Sequence, residues 1–89
     1  MEAVITVVGN DQVGILAQIC AACAACNVNV EEVTQRILRG TFAMIMLVDM
    51  SKSNVEFTEF ARKMQNKGSE MGVDVHCTRQ ELYDAMHRI

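Results

Sequence analysis

Hydrophobic and polar positions along the chain change period several times, and each change marks an element. Over Glu2 to Val8 the β-branched residues Val4, Ile5, Thr6, Val7 and Val8 form a short run that stops at Gly9-Asn10, which predicts a buried strand rather than a helix. Asp11 then stands where a helix cap is expected. From Val13 to Cys26 only Gln18 is strongly polar. Ile15, Leu16, Ile19, Cys20 and Cys23 recur at helical spacing, with alanines filling the remaining positions. Asn27, tolerant of a left-handed conformation, ends this helix.

Val28 to Arg39 alternates as Val28, Asn29, Val30 and then shifts phase to Val33, Gln35, Ile37, the signature of a strand with an irregularity near Glu31-Glu32. Gly40-Thr41 is the expected turn. Phe42 to Met50 reads as a strand apolar on both faces, with Phe42, Met44, Met46 and Val48 on one and Ala43, Ile45 and Leu47 on the other. Ser53 and Glu56 have capping-box spacing, and Phe57, Phe60, Ala61, Met64 and Met71 share a helical face opposite Glu59, Arg62, Lys63 and Lys67. Gly72 stops that helix. Val73, Val75 and Cys77 then alternate with Asp74, His76 and Thr78, and Gln80 to Ile89 suits a short tail helix carrying Leu82, Met86 and Ile89.

Strand, helix, strand, strand, helix, strand with right-handed crossovers predicts an α+β, ferredoxin-like βαββαβ sandwich. Its four-stranded antiparallel sheet has two helices on one face, with a short C-terminal helix added. That architecture leaves one sheet face bare, whereas Phe42 to Val48 is apolar on both sides. The tail helix or a second copy of the chain must cover the other face, and a homodimer is expected.

The chain is 89 residues long, short enough that a single domain over 1–89 is expected and oligomerisation is a natural source of extra stability. A net charge of −3, a single Tyr, three Phe and no Trp provide neither the charge nor the stacking groups for nucleic acid. The N-terminus has no basic region before an apolar run, and the longest apolar stretch, Phe42 to Val48, is far short of a membrane span, so a cytoplasmic protein without membrane association is expected. Four Cys, three of them within seven positions, favour reduced thiols over a disulfide scaffold.

The strand Val4 to Val8 followed by Gly9-Asn10-Asp11-Gln12-Val13-Gly14-Ile15-Leu16, and then Asn27-Val28-Asn29-Val30, resembles the ACT domain, a small ligand-sensing module of amino-acid metabolism. The resemblance covers nearly the whole chain. The ending Asp84-Ala85-Met86-His87-Arg88-Ile89 is similar to that of small stand-alone ACT proteins of undefined role, and the first helix region is similar to the ACT halves of glycine-cleavage regulators. One departure is Val13, where many ACT domains have Pro. The resemblance implies a regulatory, non-enzymatic protein that binds an amino acid or similar small carboxylate, without a cofactor, and signals to a regulated protein partner. It places the ligand between the loop Asn10, Asp11, Gln12, Val13, Gly14, Ile15, Leu16 and the start of the second strand at Asn29, usually at a dimer interface.

The loop's own chemistry agrees with such a site. A strand that turns into a helix presents unpaired backbone N–H groups, which favour an anion by about 0.3 to 1 kcal/mol at exposed positions. Gly14 permits close approach, and Asp11 can receive an α-amino group. Residue by residue, the structural alternatives are that Asp11 caps the helix, Gly14 packs on the sheet and Asn29 is a turn residue.

A metal- or redox-responsive protein built on Cys20, Cys23 and Cys26 is the alternative function, and a small enzyme ranks third. Steps of three rotate by about 60° on a helix, so Cys20 and Cys26 diverge by about 120° and cannot converge on one ion. Cys77 belongs on the last strand beneath the other helix. Small buried thiols packing a tight helix suit the pattern better, and no metal site is expected. His76 and His87 are apart, with no nucleophile-base set beside them. Met44, Met46, Met50, Met64 and Met71 are expected in the core.

Overall fold

The β-branched run at the N-terminus becomes a central strand. In the computed structural model, which describes residues 1–86, β1 (Glu2–Asn10) is followed by α1 (Ile15–Ala25), β2 (Asn29–Leu38), β3 (Thr41–Asp49), α2 (Phe57–Met71), β4 (Asp74–Arg79) and α3 (Gln80–Met86). The sheet order is β2-β3-β1-β4 and every neighbouring pair is antiparallel. This is the ferredoxin-like arrangement expected from the element order.

The core lies between the sheet and the two longer helices. Ala3, Ile5 and Val7 of β1 and Phe42, Met44, Met46 and Val48 of β3 meet Ile15, Ile19 and Cys23 of α1 and Phe60 and Met64 of α2. Four of the five methionines expected to fill the core, Met44, Met46, Met50 and Met64, are buried, and Met71 packs at its edge. α2 approaches β4 closely because residue 68 has no side chain. A Cβ there would stand 2.5 Å from Val75 Cγ2 and 2.8 Å from the Val73 carbonyl oxygen.

The phase shift in β2 is a bulge between Val30 and Glu32. Asn27 ends α1 with φ 57°, and Gly72 ends α2 with φ 74°. Other local expectations are corrected. α1 begins at Ile15 rather than Val13, with left-handed Gly14 as its N-cap and no side-chain cap from Asp11. No capping box forms at α2, where Glu56 is the N-cap without a side-chain bond. Ser53 instead closes a local turn, its hydroxyl accepting the Val55 N–H and donating to the Val55 carbonyl. The β2–β3 turn is Arg39-Gly40, both at positive φ, one residue earlier than expected. That pair of left-handed residues is the two-residue hairpin geometry matching the twist of the strands.

The second face of the sheet is covered only in part. Val4 points to that face and is buried, and α3 lies against β1 and β4. Val8 and Ile45 on the same face stay about half exposed, and Leu82 of α3 is 54% exposed. His87, Arg88 and Ile89 lie outside the described residues. No helix among the described residues is long and apolar enough to cross a membrane.

Gly68→Ala is expected to lower stability by about 1–3 kcal/mol through overpacking against Val73 and Val75, outweighing a helix-propensity gain of up to about 1 kcal/mol. Urea denaturation measures this, and an unchanged or higher midpoint with the same slope contradicts it.

Candidate functional site

The β1–α1 loop is fastened at its start by one backbone and one side-chain hydrogen bond. The Asp11 N–H donates to the Gly40 carbonyl at 2.8 Å, tying the loop to the β2–β3 turn. The Gln12 side chain donates to the Met71 carbonyl at 2.7 Å, tying it to the last turn of α2. A Cβ on Gly9 would stand 2.6 Å from Val73 Cγ1, so the strand end is pressed against the start of β4. Just past these anchors Val13 is fully exposed.

Gly14 sits at φ 90° and ψ 5°, a conformation that disfavours side chains. It does not pack on the sheet, since a Cβ there would find only Gln18 Nε2 at 3.8 Å. Its role is the backbone turn that aims α1. The first intrahelical bond is Gln18 N–H to Gly14 carbonyl at 3.0 Å, so the N–H groups before it have no partner in the helix and no side-chain cap. An anion is favoured there. Ile15, one of the loop candidates, is a core residue, and Leu16 packs partly against the core. Asn10, Asp11, Gln12 and Val13 are exposed, with Gln12 committed to Met71.

Asn29 is not beside this loop. Glu2 pairs with Asp49, which pairs with Asn29, whereas Asn10 pairs with Thr41, which pairs with Leu38. Asn29 therefore stands at one end of the strands and Asn10 to Gly14 at the other, roughly 27 Å apart at about 3.4 Å per residue.

A second recess surrounds Asn29. It measures about 450 Å³ and is lined by Ala24, Asn27, Val28, Asn29, Asp49 and Lys52. Its walls are tied together. Asn27 Nδ2 donates to the Lys52 carbonyl at 2.8 Å, and Asn54 donates through Nδ2 to the Ala25 carbonyl and through its backbone N–H to the Cys26 carbonyl. Asp49 accepts the Ser51 N–H at 2.9 Å and the Ser51 hydroxyl at 3.0 Å. These bonds, with the nearby N-terminal amine and Lys52, hold the Asp49 carboxyl below its ordinary range. At the neighbouring bulge the Glu31 carboxyl is raised, first by a hydrogen bond with Glu2, then by burial and by the negative charges of Glu2, Asp49 and Glu32. Asp49 and Lys52 were not among the residues singled out from the sequence, although an Asp two positions before a Ser at a strand end is a recognisable turn signal.

The cysteines are all free thiols. Cys23 and Cys26 are buried, while Cys20 and Cys77 are half-buried at the edge of the core. Burial, then the proximity of Cys20, Cys77 and Cys26, pushes the Cys23 thiol up to about 12. Burial alone pushes Cys77 to about 12. Cys77 thus contributes to the electrostatic surroundings of Cys23 on α1, a proximity that the strand-and-helix pattern did not reveal. No group of three or more His, Cys, Asp or Glu among the described residues is placed to hold a metal ion. His76 is an exposed strand residue.

This βαββαβ sandwich with a glycine-turned loop leading into an uncapped helix defines a class of small α+β modules. The family model of the ACT domain matches residues 2–78, and the chain belongs to that family. It is 44% identical over 88 residues to a UPF0237 protein of Methanopyrus kandleri, covering 99% of this chain and 98% of that one. An ACT domain protein from Streptococcus pneumoniae superposes with a TM-score of 0.82 at 29% identity, over 98% of each chain. A structure assigned as a glycine cleavage system transcriptional repressor shares the fold with a TM-score of 0.77 at 23% identity, over 88% of this chain and 44% of that one. ACT domains typically bind small-molecule ligands, amino acids among them, within regulatory proteins.

Two outcomes follow from the local chemistry. Gly14→Ala is expected to cost about 1–2 kcal/mol from its left-handed backbone, measurable by thermal and urea denaturation, and an unchanged stability contradicts that origin. For Cys23 and Cys77 the folded state favours the neutral thiol, so their contribution to stability is complete below the ordinary value of 9.0 and is lost as pH rises from there towards about 12. Both thiols are expected to resist alkylation at pH 8 in the native protein and to react on unfolding, which mass spectrometry of labelled peptides resolves.

Proposed function

We propose that the protein is a non-enzymatic regulatory module that binds an amino acid or similar small carboxylate between two copies of the chain and signals to a separate protein. The separation of Asn29 from the Asn10–Gly14 loop within one chain carries this reading. A site using both needs two chains.

The edge strand β2 supplies a means of joining them. Nearly all of β2 is exposed, including Val33 at 39%, Ile37 at 61% and Leu38 at 73%. The two-residue turn makes Leu38 and Thr41 a hydrogen-bonded pair, so Val33, Gln35 and Ile37 direct their backbone N–H and C=O groups outward. Antiparallel pairing of β2 with its copy, centred on Thr34, sets Glu32 opposite the partner's Arg36. Beyond the bulge it sets Val30 opposite the partner's Ile37 and Asn29 opposite the partner's Leu38. Charge meets opposite charge twice and apolar meets apolar twice. The same pairing carries Asn29 of the partner subunit towards the Arg39-Gly40 turn, to which the Asp11 backbone is bonded. The open N-terminus of α1 is the group beside that turn that would receive a ligand's carboxylate.

Light scattering is expected to give twice the 9.9 kDa chain mass at micromolar concentration. Arg36→Glu is expected to shift the protein towards monomer, and the swapped pair Glu32→Arg with Arg36→Glu to restore the dimer. A dimer indifferent to these charges removes this seam. Asp11→Ala and Asn29→Ala are each expected to weaken ligand affinity about tenfold while preserving the fold, read by calorimetry after a thermal-shift screen of amino acids and small carboxylates. Unchanged affinity in both variants removes them from the site.

A further inference from the structure

We propose that the recess around Asn29 is itself a zwitterion pocket, with Asp49 as the acceptor of a ligand's ammonium group and Lys52 and the Asn29 carboxamide on the side of its carboxylate. Unlike the site between copies, this one is complete within a single chain, and it stands whether or not the β2 seam forms.

Three observations carry it. The recess holds one carboxylate and one ammonium among otherwise neutral lining residues, so its fixed charges complement a ligand bearing both signs. Its volume of about 450 Å³ is within the range of small-molecule pockets and suits one amino acid. Its walls are set before any ligand arrives. The Asn27–Lys52 and Asn54–Ala25 bonds lock the β3–α2 connection onto the end of α1, and the Ser51 bonds fix the Asp49 carboxylate. Such pre-set groups lose little freedom on binding. Asp49 is ionised at neutral pH, as an ammonium acceptor must be. Of the other charged groups at this end, the acidic Glu2, Glu31 and Glu32 outnumber the N-terminal amine beside Asp49, which disfavours a ligand that is only an anion.

The test compares the twenty protein L-amino acids with their matched α-hydroxy acids, which lack the ammonium, by thermal shift and calorimetry on the full chain. At least one amino acid is expected to bind the wild type, with its hydroxy acid at least tenfold weaker. That binding is expected to persist in Arg36→Glu, which opens the β2 seam, and to fall at least tenfold in Asp49→Asn, which keeps an acceptor for Ser51. Asp49→Glu, which restores the charge, is the second variant and is expected to recover part of the affinity. The proposal is overturned if Asp49→Asn and Asp49→Glu both bind as the wild type does, if the hydroxy acids bind as well as the amino acids, or if no amino acid binds. Binding lost in Arg36→Glu but kept in Asp49→Asn also overturns it, and assigns the ligand to the site between copies.

Discussion

The antiparallel register of β1 on β3, from Glu2 against Asp49 to Asn10 against Thr41, is the constraint on which the rest depends. With the pairing of β2 on β3, it sends the end of β1 and the end of β2 to the same end of the sheet, where the Asp11 backbone meets Gly40. It leaves the start of β2 at the opposite end with Asp49. Because side chains alternate along paired strands, the same register turns Ala3, Ile5, Val7, Phe42, Met44, Met46 and Val48 towards the helices together. A slip of one residue in β1 would expose its half of that core. The distance between Asn29 and the Asn10–Gly14 loop is therefore as firmly specified as the core itself.

Each end is also closed by backbone and carboxamide hydrogen bonds rather than by ion pairs. At one, Gly14 turns the chain without a cap, leaving N–H groups open while Gln12 and Asp11 fasten the loop to neighbouring elements. At the other, asparagines serve as fasteners: Asn27 in a left-handed conformation and Asn54 across the last turn of α1. Carboxamides suit this work because each offers a donor and an acceptor without the desolvation penalty of a charge. The charges that remain, Asp49, Lys52, Glu31 and Glu32, are consequently at the surface and able to meet a ligand or a second chain.

Much of this was legible in the residues. The β-branched run ending in Gly9-Asn10, the phase shift at Glu31-Glu32, and Asn27 and Gly72 as helix stops all express local physics, and all appear where the pattern puts them. The errors share a cause. Asp11 and the pair Ser53 and Glu56 have the chemistry of caps, but competing hydrogen bonds take the chain elsewhere: the Asp11 backbone to Gly40 across the fold, and the Ser53 hydroxyl to Val55 within a local turn. Gly68 carries no periodic signal, since its importance lies in the proximity of Val73 and Val75, which no local pattern encodes. The separation of Asn29 from the loop is a property of sheet order. It follows from topology and not from the motif in which Asn29 occurs.

The open edge of β2 gives a thermodynamic meaning to that separation. An edge strand with Val33, Ile37 and Leu38 exposed and no proline is a surface that natural proteins normally protect or use. In the two-chain reading, a ligand held by the loop of one copy and Asn29 of the other binds only the associated form. Ligand binding and dimerisation then share one coupling free energy, and each strengthens the other by the same factor. Apparent affinity must rise with protein concentration, and the dimer must tighten as ligand is added. Within this family, a chain that senses through a shared site requires no second domain to change state: its own association is the change that another protein can read.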